Sequence, residues 1–78
     1  MGDTLVTTRY TIDYEETQAL ESFLAAYLSD PFPNWRLVRV IERKHTETFI
    51  VEYYEDEQYY SITRSYDEEG EAHWKITA

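Results

Sequence analysis

The chain has no cysteine, which removes disulfides, thiolate metal sites and thiol nucleophiles together. Its stability has to come from packing. Glycine and proline are scarce as well, two of each in 78 residues, and Pro31, Pro33 and Gly70 mark breaks between elements. No apolar run approaches the ~18–20 residues of a membrane span. The opening Met1-Gly2-Asp3-Thr4 offers neither the basic nor the apolar region of a secretory leader, and the expectation is a cytoplasmic protein. Basic residues are in deficit: seven Lys and Arg face sixteen Asp and Glu, a formal net charge of -9. Such a surface repels phosphates, which disfavours direct binding to nucleic acid or anionic lipid. It attracts basic partners over a Debye length of ~8 Å.

Catalytic and metal signatures are also missing. Ser61 and Ser65 have no histidine nearby in sequence, and neither acidic loop has the Asp-x-Asp-x-Asp-Gly spacing of a calcium hand. His45 and His73 stand alone, and two histidines without cysteine make a poor zinc set. A carboxyl group acting as a general acid needs a buried pocket, for which a domain of this size has little room. No enzyme activity, cofactor or metal is expected.

Aromatic and β-branched residues are plentiful. Hydrophobic residues make up 42% of the chain, including eight Tyr, three Phe and two Trp, and a disordered acidic chain would lack that content. The expectation is one domain over residues 1–78 with a thin core, one helix over one sheet.

Residues Thr4 to Ile12 alternate as a strand, with Val6, Thr8, Tyr10 and Ile12 on one parity and Thr7, Arg9 and Thr11 on the other. Asp13 with Glu16 three positions on reads as an N-cap and its capping-box partner. Leu20, Phe23, Leu24, Tyr27 and Leu28 then repeat as one apolar helical stripe, predicting a helix over 14–29. Asp30-Pro31-Phe32-Pro33-Asn34 ends it, because each proline lacks a donor and pushes the residue before it toward extended geometry. Trp35 to Arg43 is β-branched but without clean alternation, so both faces are expected to carry apolar side chains. Lys44-His45-Thr46 is a turn. Strands follow at 47–54, 58–66 and 71–77, with inward sets Phe49, Val51, Tyr53; Tyr60, Ile62, Tyr66; and Ala72, Trp74, Ile76. Short connections force antiparallel neighbours. The fold class is α+β: one helix in the N-terminal half packed on a largely meander antiparallel sheet, in the order β-α-β-β-β-β. That element order resembles the cystatin and monellin arrangement. The Gln-Val-Val-Ala-Gly loop by which cystatins block cysteine proteases is absent, and Lys44-His45-Thr46-Glu47 does not replace it, so nothing functional follows from the resemblance.

Charge is unevenly spread: residues 1–33 sum to -5, residues 34–45 to +3 and residues 46–78 to -7. The basic strip Arg36, Arg39, Arg43 and Lys44 is expected to pair across strands with carboxylates such as Glu47 or Glu52. Half of all carboxylates lie between positions 52 and 71, in two turns that a meander sends to opposite ends of the sheet. The candidate partner-binding residues are Glu52, Glu55, Asp56 and Glu57 around the first turn, Asp67, Glu68 and Glu69 at the second, and Tyr54 and Tyr59, which look outward by parity. Asp13, Glu15, Glu16 and Glu21 add to the acidic surface.

The expected function is therefore that of a small acidic interaction protein. It would bind a basic protein surface, that of a nucleic-acid-binding complex, and inhibit it by presenting carboxylates in place of phosphates. Small phage inhibitors of CRISPR or restriction systems are similar in size and charge. The alternative is an adaptor or homodimeric subunit that pairs through its Tyr-rich hairpin or a sheet edge, with acidity serving solubility alone.

Overall fold

Asp13 fixes where the helix starts. Its carboxylate accepts the Glu16 backbone N–H at 2.8 Å while its own N–H donates to the Glu16 side chain at 3.3 Å, the reciprocal box its spacing predicts. A computed structural model describes residues 4–78. Its elements are β1 (Leu5–Arg9), α1 (Tyr14–Leu28), β2 (Trp35–Arg43), β3 (Thr46–Tyr53), β4 (Gln58–Tyr66) and β5 (Ala72–Thr77). The helix stops at Ser29, which turns left-handed at φ 54°. The Asp30 N–H then closes back on the Ala25 carbonyl at 3.1 Å, satisfying a helix-end acceptor before the prolines begin.

The five strands form one antiparallel sheet in the order β1-β2-β3-β4-β5, each beside its neighbour in sequence. The α+β class and the element order are as the sequence predicts. The helix covers one face. Its Leu20 and Leu24 are fully buried with Val40, Phe49, Val51 and Ile62, and Tyr53 and Tyr60 close the same core. Trp74 and Ile76 pack against it from β5.

Three details depart from the alternation read along the chain. First, the register of β2 on β3 slips between Leu37 and Arg39, so Val38 is an extra residue. A bulge reverses parity beyond it. Trp35, Leu37, Val40 and Glu42 therefore share the covered side, while Arg36, Arg39, Ile41 and Arg43 share the open side, which explains why β2 showed no clean period. Second, β1 ends at Arg9 rather than Ile12, and it turns Arg9 toward the helix while Val6 and Tyr10 stay exposed. Val6 is the extra residue where the register of β1 on β2 slips between Leu5 and Thr7, and Tyr10 lies beyond the strand. Third, Tyr66 and Ala72 are exposed, because the helix does not extend over that end of β4 and β5.

Candidate functional site

The carboxylates sort into three groups by what holds them. The first lies between helix and sheet, where inward parity places charged residues beyond the apolar core. Arg9 donates to Glu16 at 2.7 Å and to Glu42 at 2.9 Å, and contacts Glu47 at 3.4 Å. Arg64 donates to Glu16 at 3.2 Å and to Glu47 through both Nε and Nη2. Its guanidinium also lies 5.4 Å from the ring centroids of both Phe49 and Trp74. Burial pushes the Glu16 carboxyl upward, but the Arg9 hydrogen bond, the Asp13 backbone N–H and the charges of Arg9 and Arg64 outweigh that and hold it below the usual carboxylate range. Glu16 and Glu47 are thus committed inside the fold. The expected pairing of Glu47 with the β2 strip does not form, because Glu47 lies on the covered face. Glu52 does pair as expected, with Arg36 at 2.7 Å.

The second group sits at the tip between β3 and β4. Tyr53, whose ring belongs to the core, sends its hydroxyl out at one edge of it. That oxygen stands 2.6 Å from an Asp30 carboxylate oxygen and 2.7 Å from one of Glu55. A phenol has one proton to donate, so two carboxylates share one donor. The Tyr60 hydroxyl donates to Asp56 at 2.9 Å, and Asp56 also takes the Gln58 backbone N–H. Hydrogen bonds to Asp30 and then Glu55 hold the Tyr53 hydroxyl protonated well above the usual tyrosine range, and Asp56 does the same for Tyr60. Glu57, at φ 55°, makes the left-handed step of the turn and is exposed. Asp30 and Glu55 thus meet at one hydroxyl, Asp56 is held by Tyr60 and Glu57 is exposed, and none of the four has an ion-pair partner among the described residues. Asp30 comes from the helix end, 25 positions before Glu55, and sequence reading did not place it there.

The third group is the β4–β5 turn. Asp67 accepts the backbone N–H groups of Glu69 and Glu71 and meets His73 at 2.9 Å, contacts that hold its carboxyl low, the His73 bond foremost. Glu68 and Glu69 are exposed. A pocket of about 370 Å³ separates Tyr66 and Asp67 from the turn carrying Arg43, Lys44 and His45. This end of the molecule therefore has cations nearby.

Tyr54 and Tyr59 are 44% and 52% exposed. Strand parity places Tyr59 with Glu52 and Arg36 on the open face. Glu55 and Asp56 instead bond to tyrosines of the covered face. The hairpin therefore turns Tyr59 to one side and the acids Glu55 and Asp56 to the other. Comparison with protein-family models, curated proteins and solved structures gives no match. Among the described residues no helix is long and apolar enough to cross a membrane.

Proposed function

We propose that the chain is a non-catalytic interaction protein whose acidic tip and helix side bind a basic, nucleic-acid-binding protein surface and compete with the phosphates that surface would hold. One observation carries this reading. Asp30, Glu55 and Asp56 converge on two tyrosine hydroxyls with no ion-pair partner among the described residues, although the same fold supplies Arg9 and Arg64 to the carboxylates of its interior. Like charges held this close repel, and a lysine or arginine from a partner relieves that repulsion with charge-assisted hydrogen bonds. Glu57 at the tip and the exposed helix residues Glu15 and Glu21 are further carboxylates without an ion-pair partner among the described residues. Glu68 and Glu69 add a second anionic point at the far end, about 25 Å away along a nine-residue strand.

The test is capture of partners from the source cells by the immobilised protein, at low and high salt, beside a Glu55→Lys/Asp56→Lys variant. The expected result is a nucleic-acid-binding protein that elutes with salt, fails to bind the variant and is displaced by its own nucleic acid. Retention unchanged by salt and by the variant would refute the proposal. A stable homodimer in sedimentation, burying the Tyr53 to Tyr60 hairpin or a β1 or β5 edge, would favour the adaptor reading instead.

A further inference from the structure

The face of the sheet turned away from the helix has the opposite charge from the rest of the chain. Parity and register put Arg36, Arg39, Arg43 and Lys75 on it against one strand carboxylate, Glu52. Only Arg36 of these four has an ion-pair partner among the described residues. That is unexpected in a protein with sixteen carboxylates. Were these cations present only to offset net charge, the neighbouring strands would offer them acids, as they do for Arg9 and Arg64. Instead the positions between them carry Ile41, Ile50, Thr48 and Thr63. The two isoleucines are half-buried, and the Thr48 and Thr63 hydroxyls bond to one another at 3.2 Å.

We propose that this open face is a docking surface for an acidic protein segment bearing apolar side chains. Charge complementarity selects the sign, and the layout selects the class. Arg39 and Arg43 lie about 13 Å apart along β2, and Lys75 lies three strands across from Ile41, about 14 Å away. The three cations frame an aliphatic and hydroxyl-lined floor the size of a few extended residues. One end of the face is closed by the exposed carboxylates of the β4–β5 turn, Asp67 to Glu71. A nucleic-acid strand, charged at every step, runs off the patch into that repulsion, and its backbone has no apolar group for the isoleucine floor. A short acidic segment ends within the frame and uses both features. Docking here is independent of the acidic tip, which faces the other way.

The experiment is fluorescence anisotropy with a short labelled peptide of alternating Asp, Glu and Leu, compared with labelled oligothymidylate, at low and moderate salt. The proteins are the wild type, Arg39→Glu/Lys75→Glu and Glu55→Lys/Asp56→Lys, each checked for its fold by circular dichroism; Arg39 and Lys75 are exposed, so the first variant keeps the core. The peptide should bind the wild type and the tip variant alike, lose at least about tenfold in affinity with the Arg39 and Lys75 reversals, and weaken as salt rises. Absence of saturable binding at low salt overturns the proposal, as does equal binding by the Arg39 and Lys75 variant. Tighter binding of oligothymidylate would assign the face to single strands, with Tyr54 and Tyr59 as stacking platforms. Concentration-dependent self-association abolished by Arg39→Glu/Lys75→Glu would assign it to a second copy. Either result overturns the proposal.

Discussion

Arg64 is the side chain on which the interior charge network turns, and its removal tests whether that network stabilises the fold. In Arg64→Met the aliphatic stem stays over Phe49 and Trp74 while the guanidinium is lost. Glu47 and Glu16 then share Arg9 with Glu42, three carboxylates to one cation. Exposure of the participants is low, 17% for Arg64, 18% for Glu47 and 13% for Glu16, so water replaces the lost donors poorly. Loss of the ion pairs to Glu47 and Glu16, at about 1.5 kcal/mol each, and of about 0.5 kcal/mol of cation–π attraction comes to about 3.5 kcal/mol. Total stability for a chain this long is about 4–12 kcal/mol. Urea unfolding followed by tryptophan fluorescence should show a midpoint lower by about 2–3 M. Adding Glu47→Leu should recover at least half of the loss, since the unpaired carboxylate is then gone and an apolar group fills its place. The acid limb gives a second readout. The folded state binds the Glu16 proton more weakly than the unfolded chain does, so its contribution is complete above the unfolded-chain value of ~4.3 and is lost as pH falls through the lower folded value. That loss should be smaller in Arg64→Met. A cost under about 0.5 kcal/mol, as for exposed pairs, or simple additivity of the two substitutions, refutes the reasoning.

Other outcomes follow from single sites. Asp13→Ala removes the acceptor for the Glu16 N–H and should cost about 1 kcal/mol in thermal or urea unfolding. Tyr53→Phe leaves Asp30 and Glu55 facing one another without their shared donor, and should lower the unfolding midpoint at neutral pH. In spectrophotometric titration Tyr53 and Tyr60 should ionise above the ordinary tyrosine value of ~10. The fold binds their protonated hydroxyls, so stability is intact below the ordinary tyrosine value of ~10 and falls as pH rises past it. Glu57→Gly relieves a left-handed residue at the hairpin tip and should stabilise by up to about 1 kcal/mol, visible as a raised melting temperature with binding at the open face unchanged.

Where local chemistry decides structure, the chain was readable. The helix start needed only Asp13 and Glu16, the helix end only Pro31 and Pro33, and the inward parity of Phe49, Val51, Tyr60 and Ile62 only a period of two. What escaped were features set by pairs distant in sequence. Arg9 looks like a surface residue until Glu16 and Glu47 are known to meet it beneath the helix. Val38 gives no sign of being a bulge, since one inserted residue among β-branched neighbours changes parity without changing composition. Asp30 reads as a helix-end acid, and only the docking of the helix end beside β3 brings it to Tyr53. Lack of alternation in β2 was the one available hint, because a strand that loses its period midway is either covered on both faces or bulged.

Net charge misleads in the same way. A value of -9 suggests a uniformly anionic surface, yet one helix can cover only one face of a five-stranded sheet, and strand parity then decides which charges share the other. The bulge at Val38 is what groups Arg39 and Arg43 with Arg36. Without it they would point beneath the helix, into a layer already holding Arg9 and Arg64. One inserted residue therefore separates a cationic face from an anionic tip, and at physiological salt, where fields fade within ~8 Å, partners meet each surface nearly independently. Partner choice follows from those local surfaces, so charge reversals on the tip and on the open face should act on different complexes.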